Sequence, residues 1–214
     1  MAKLTTTSYA ILGLLKRRPW TAYELTKYMQ RSGIRAVWPR TESRIYVEFK
    51  NLVAHELAAA TAETKQGRKR TLYTITTAGQ KSFKNWMLSA EGGLRLESEP
   101  LLKLLYADLN SEAMTVQLEH MNKQLLDEAQ VMHQALTIAL ENGFVFEKSA
   151  IYNAQQVTLL TALLEARSAW LRTMETNLSE IKSKSTKEAL EGAREIYQRE
   201  MARLEEVIRK QEDR

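Results

Sequence analysis

Between residues 57 and 77 the chain abandons the helical period. "LAAATAE" (57–63) and "TLYTITT" (71–77) flank the short run "TKQGRKR". In the second stretch Tyr73 and Ile75 fall on one face and Leu72, Thr74 and Thr76 on the other, the period of two that marks a half-buried strand. With a glycine between them, the two stretches predict a β-hairpin. Its tip carries Lys65, Arg68, Lys69 and Arg70. Such a tip repels itself, so it is either a solvated turn or a surface that waits for an anion.

What precedes the hairpin is helical. "TTTSYAILGLLKRR" puts Tyr9, Ile11, Leu12, Leu14 and Leu15 on a broad apolar stripe and stops at Pro19, where continuation is costly. "TAYELTKYMQRSG" opens on a capping box of Thr21 with Glu24 and closes at Ser32-Gly33. A third helix is predicted through "TESRIYVEFKNLVAHEL". There Ile45, Phe49, Leu52 and Val53 share one face, while Arg44, Val47, Lys50 and Asn51 spread over the others. After the hairpin, Thr77 with Gln80 resembles a second capping box, opening a helix over "AGQKSFKNWMLS". Three helices, a hairpin and a helix within ninety residues is the order of a winged helix-turn-helix.

Charge separates the chain into two parts. Residues 1–90 hold 16 Lys and Arg against 5 Asp and Glu, a surplus of +11, whereas the remainder holds 15 against 21, or −6. A basic module joined to an acidic one is the footprint of a protein whose first part meets a polyanion. Membrane attachment does not fit, because no basic helix of the first part also carries a large apolar face. No run of about 18 apolar residues spans a bilayer. A cytoplasmic location is expected, and zero cysteines exclude disulfides and thiolate metal sites.

The residues quoted above resemble a known family. "YAILGLL", "TAYELTKYM", "SRIYVEFKNLVAHEL" and "RTLYTITTAGQKSFKNWM" are together similar to the PadR family of bacterial transcription regulators, over essentially the first ninety residues. The resemblance implies that "IYVEFKNL" belongs to the DNA recognition helix and that "KQGRKR" is the wing. It also marks a departure: family members usually end that helix on a glycine, where this chain has Glu56. A glutamate avoids the left-handed backbone that glycine accepts, so the helix is expected to run on by a turn, or the wing to leave at another angle.

"EGGLRLESEP" (91–100) is the boundary candidate. Beyond it, a long helix is predicted from Ser111 to Asn142, which would reach roughly 45 Å. "QQVTLLTALLEARSAWL" then places Val157, Leu160, Leu164 and Leu171 on one face and Leu159, Leu163, Ala166 and Trp170 on another. A helix apolar on two faces is buried on two sides, one against its own chain and one against a second copy. "ARSAWL" and "METNL" resemble the C-terminal domain of the longer, virulence-activator-like members of the same family, in which such domains form the dimer. A last helix carries Leu190, Ala193, Tyr197, Met201, Leu204 and Ile208 at heptad-like spacing, and is read as bracing that dimer.

Catalysis finds no support. There is no phosphate-binding GxxxxGK, no GxGxxG and no nucleophile elbow, and "HELAA" fails as a zinc motif because Ala59 stands where the second histidine is needed. No enzyme, metal site or cofactor is expected.

The fold class expected is therefore mainly α: an N-terminal winged helix-turn-helix with a two-stranded β-hairpin wing (1–90), a connector (91–110) and an all-α helical dimerisation and effector domain (111–214). Function is expected to be that of a sequence-specific, double-stranded DNA-binding regulator, a homodimeric repressor released by a small aromatic effector. Thr41, Ser43, Arg44, Val47 and Lys50 would face the major groove, with Arg44 the base reader through guanine. Tyr23, Arg40 and Tyr46 would fix the backbone, and Lys65, Arg68, Lys69 and Arg70 would lie along phosphates. Thr41 has a second reading as the helix N-cap. Trp86, Phe144, Phe146 and Trp170 are effector candidates by resemblance, with core packing as the competing reading. Val157, Leu160, Leu163, Leu164, Trp170 and Leu171 are assigned to the dimer interface. The competing class is a helical interaction protein whose basic domain binds RNA or an acidic protein.

Overall fold

The computed structural model describes residues 4–65, 67–108, 112–144 and 146–213, with the side chains of Lys65 and Arg68 outside the description. The fold is mainly helical, with one small antiparallel sheet. Contacts divide it into two compact units, residues 1–96 with 127–160, and residues 97–126 with 161–214.

The first unit opens with α1 (Thr6–Leu15), whose N-cap Thr5 and Ser8 form a capping box. The chain then turns at Pro19 into a strand of two residues, β1 (Trp20–Thr21). The Trp20 indole N–H donates to the Leu14 carbonyl at 3.1 Å and closes the end of α1. Helix α2 (Ala22–Arg31) starts on the expected Thr21/Glu24 box. A single-turn helix α3 (Ile34–Val37) follows, where the sequence suggested only a connection. Helix α4 (Glu42–Ala54) buries Ile45, Phe49 and Leu52 as its period requires. Strands β2 (Ala58–Lys65) and β3 (Arg68–Ile75) then pair antiparallel in register from Ala58↔Ile75 to Lys65↔Arg68, with Gly67 at φ +76° in the tip.

The hairpin is wider than expected. Strand β1 pairs along the other edge of β3, Trp20 opposite Tyr73 and Thr21 opposite Leu72, so the sheet has three strands in the order β1-β3-β2. Two residues are too few for any periodicity to reveal. Ile11, Leu12, Leu14, Leu25, Ile45, Phe49 and Leu52 form the core of this unit, each at most 1% exposed. Complete burial contributes roughly 1.5–3 kcal/mol for each such side chain.

The junction of α4 and β2 corrects the expectation for Glu56. The helix does not run on: Glu56 itself takes the left-handed conformation at φ +56°. Its N–H bonds to the Val53 carbonyl at 2.9 Å and that of Leu57 to the Leu52 carbonyl at 2.9 Å, the paired closure of a Schellman motif. Leu52 and Leu57 both lie in the core, supplying the apolar contact that accompanies this motif. Two hydrogen bonds and that contact hold a residue where its own Cβ disfavours it. Glu56→Gly should therefore raise stability by about 1 kcal/mol, the left-handed penalty outweighing glycine's added unfolded-state entropy. Urea unfolding checks this, and a loss of stability would contradict it.

Helix α5 (Thr77–Met87) is capped by Thr76, whose hydroxyl accepts from the Gly79 N–H at 3.0 Å, one residue before the Thr77 box that the sequence suggested. The Thr76 hydroxyl also donates to the Glu56 carbonyl at 2.7 Å, which ties the start of α5 to the end of α4. Gly79 is required here by space, since a Cβ would stand 2.1 Å from the Leu57 carbonyl oxygen.

Helix α6 (Glu99–Leu104) belongs to the second unit, and the long helices α7 (Ala113–Asn142) and α8 (Ala150–Ser183) each contribute a segment to both units. In the second unit Leu118 and Met121 of α7 enclose Leu171 of α8, and the Lys182 ammonium donates to Thr115 Oγ1 at 2.9 Å. Helix α9 (Thr186–Glu212), capped by Ser185 with Glu188, buries no residue. No described helix is long and apolar enough to cross a membrane.

Candidate nucleic-acid interface

The outer surface of α4 is built from what its inner face leaves over. With Ile45, Phe49 and Leu52 turned into the core, Ser43, Arg44, Tyr46, Val47 and Lys50 are all exposed. Thr41 is the N-cap: its hydroxyl accepts from the Arg44 N–H at 3.4 Å and lies 3.1 Å from Ser43 Oγ. Its second reading thus holds, and the residue remains exposed at the helix start. Helix α2 is tied to this start by Lys27, whose ammonium is 3.2 Å from Glu42. The Gln30 amide donates to the Arg40 carbonyl at 2.6 Å. Gln30, Arg35, Pro39, Arg40, Thr41 and Glu42 line an open groove of about 520 Å³ beside it.

Tyr23 and Arg40 flank the same helix. Tyr23 is exposed on α2. The Arg40 guanidinium lies 4.0 Å over the Trp38 ring, whose indole N–H donates to Thr7 Oγ1 at 3.0 Å. The exposed Arg40 is thereby stacked on a fixed platform, its Nη1 donating to the Pro39 carbonyl at 2.6 Å, and its charge stays accessible to a phosphate.

The wing is less uniformly basic than its sequence. Lys69 is exposed. Arg70, by contrast, donates through Nε and Nη2 to Glu63 across the hairpin at 2.9 and 2.7 Å, and its Nη1 is 3.8 Å from Glu24 of α2. Hydrogen bonds from Thr21, the backbone N–H foremost, hold the Glu24 carboxyl below its usual pKa, with Arg18 and Arg70 adding to the effect. Arg70 therefore pins the wing to α2. The expected side-chain roles of Lys65 and Arg68 lie outside the described residues.

One residue of this region escaped the sequence reading. Glu48, on the buried face of α4, is 0% exposed and accepts a 2.6 Å hydrogen bond from Ser8 Oγ of α1. Its other oxygen stands 3.3 Å from Arg44 Nη2, an ion pair that falls outside hydrogen-bond geometry. Position i+3 from Ile45 was the available signal, since it lies on the apolar side of the helix.

The effector candidates are dispersed. Trp86 stacks on Tyr9 with ring centroids 5.0 Å apart and planes 3° from parallel, and also meets Phe83. Phe146 packs edge-on to Tyr28 at 6.5 Å under the Arg17 guanidinium. Both thus fill volume in the first unit, while Phe144 and Trp170 remain exposed. Of the residues assigned to a dimer interface, Leu171 is buried against its own chain, Val157, Leu160 and Leu164 are half-buried, and Leu163 and Trp170 are exposed.

Comparison with known proteins bears on this arrangement. Residues 11–85 match the transcriptional regulator PadR-like family. Over 82 residues the chain is 33% identical to the negative transcriptional regulator PadR of Bacillus subtilis, a match spanning 37% of this chain and 44% of that relative's length. In fold it is similar to a crystal structure of B. subtilis PadR in complex with operator DNA (22% identity, TM-score 0.59, 83% of this chain and 99% of that one). It is likewise similar to the PadR-like regulator BC1756 of Bacillus cereus (16%, 0.63, 85% and 99%) and to B. subtilis PadR in complex with p-coumaric acid (24%, 0.55, 84% and 100%). Residues 11–85 thus match the transcriptional regulator PadR-like family, and a long helical region extends beyond the match.

Proposed function

We propose that the chain is a sequence-specific DNA-binding repressor that works in the cytoplasm as a homodimer. Residues 1–90 act as the DNA-binding domain, 91–110 as a connector and 111–214 as the dimerisation and effector domain. The observation that carries this reading is the exposed polar and basic face of α4, backed by a fully buried apolar face. A helix so mounted offers side chains to base edges without unfolding anything. The operator complex of a protein with the same fold and the negative role of the relative in B. subtilis support both DNA as partner and repression as outcome.

Dimerisation is supported by the exposed Leu159, Leu163 and Trp170 of α8, which leave an apolar face uncovered on a helix whose Leu171 is already packed. Release by a small aromatic effector is supported by the p-coumaric acid complex of a protein with this fold. Of the four candidates, Phe144 and Trp170 keep exposed ring surface, each within its own unit.

Selection from a random duplex pool tests the reading. The full chain should enrich particular sequences and bind them in preference to scrambled duplex and to an RNA hairpin at matched salt. Equal binding to all three would instead support the RNA or acidic-protein class.

A further inference from the structure

The carboxylate of Glu48 lies on the face of α4 that otherwise packs Ile45, Phe49 and Leu52, and it is fully buried. Its Oε2 is fixed to the scaffold through Ser8, whose Oγ also accepts the Thr5 N–H at 3.1 Å in the α1 capping box. Its Oε1 has no hydrogen bond among the described residues and faces the Arg44 guanidinium one turn earlier, at 3.3 Å. Arg44 is half exposed, with its side chain at 52%. One end of this ion pair is therefore rigid and dry, and the other reaches the surface where a duplex would lie.

We propose that Glu48 is a positioning residue for base recognition, holding Arg44 by one edge so that its remaining donors are presented to a guanine. This rests on the reading of α4 as the DNA-reading helix. A guanidinium carries five donors in a rigid fork, so an ion pair on its Nη2 side leaves N–H groups for the O6 and N7 of guanine. Because the carboxylate is immobile, part of the ordering cost of Arg44 is met before DNA arrives.

The pair also acts against the wrong contact. A phosphate is available at every step of a duplex, but drawing Arg44 away to reach one leaves a buried carboxylate without its counter-charge, which is costly. Contacts made without leaving Glu48 are favoured over those that require it. Specificity is the difference between the two, and Glu48 enlarges it by penalising the unspecific one.

The test uses the full chain, a duplex that the wild type selects from a random pool, and a scrambled duplex of the same composition. Glu48→Gln keeps the shape and a partner for Ser8 but removes the charge. Discrimination between the two duplexes should fall about tenfold, the scale of one good arginine–guanine contact, with the scrambled duplex bound more tightly than before. In an Arg44→Ala background the same change should leave discrimination nearly unaltered. Equal losses in both backgrounds would mean that Glu48 acts on the fold and not through Arg44, and would overturn the proposal.

A readout without DNA separates this proposal from the functional reading. In the free wild-type protein the Arg44 Nη nitrogens should rotate slowly enough to give resolved NMR signals, and Glu48→Gln should average them. Should that variant not fold, Ser8→Ala, which frees the carboxylate from α1, should speed the same rotation and lower discrimination. Arg44 signals indifferent to whichever variant folds would overturn the positioning role even if the chain selects DNA. A chain that selects no duplex would overturn the DNA reading and this proposal with it, with the NMR result still reporting the pair.

Discussion

Arg44→Ala is expected to flatten the protein's preference among duplexes while leaving weak, salt-dependent binding in place. Arg44 stands exposed in the first turn of α4, so its loss removes an interaction that depends on the base it faces. The cost should be about 1–3 kcal/mol per half-site on the selected sequence and little on scrambled DNA. The same change leaves Glu48 without its cation, which should lower stability by about 1–3 kcal/mol. The double variant Arg44→Ala/Glu48→Gln should recover that stability and still lack discrimination, so titrations on both variants separate reading from folding. Operator preference surviving in either would remove α4 as the reader.

The wing supplies the contrast within the same measurement. Lys69 is exposed, and Lys69→Ala should weaken selected and scrambled duplex alike, lowering the slope of log affinity against log salt by about one. Arg70→Ala should move that slope less, because Glu63 and Glu24 already meet its charge, and should instead loosen the wing from α2.

Cutting the chain after residue 90 is expected to lose most of the affinity for a selected duplex while keeping the fold of the fragment. The buried core of the first unit, from Ile11 to Ala58, lies entirely within residues 1–90, and so do the three strands and α5. Besides Phe146, which packs at the edge of that core, the fragment lacks the apolar surface of α8 through which a second copy would join. Linking two readers turns the second contact into an intramolecular one, and affinity should drop by roughly 10²–10⁴-fold when the link is cut. Sedimentation of the full chain at micromolar concentration provides the companion measurement, expected to show a dimer. Equal affinity of fragment and full chain, or a monomeric full chain, would contradict the dimer model.

Much of the fold was legible because its signals are local. The stripe of Ile45, Phe49 and Leu52 predicts both α4 and its buried face, and the Thr21/Glu24 box predicts where α2 begins. The alternation of Tyr73 and Ile75 with a glycine in the tip predicts the hairpin. Each of these depends on residues within one or two turns of one another, where backbone geometry alone dictates the outcome. The Thr77 box shows the limit of such patterns, because Thr76 satisfies the same N-terminal donors and also reaches the Glu56 carbonyl.

By itself, then, the sequence determined the longer helices and the β2–β3 hairpin, which face of α4 is core, and which part of the chain is basic. Tertiary structure alone decided the rest. It added β1 to the sheet by pairing Trp20 with Tyr73, and it closed α4 with a left-handed Glu56 because Leu57 is drawn into the core. It neutralised Arg70 between two carboxylates and buried Glu48 against Ser8, forty residues away. The physical reason is common to all four: a short strand, a strained backbone angle or a charge acquires its meaning from the partner that packing brings to it, and no period or spacing along the chain encodes that partner.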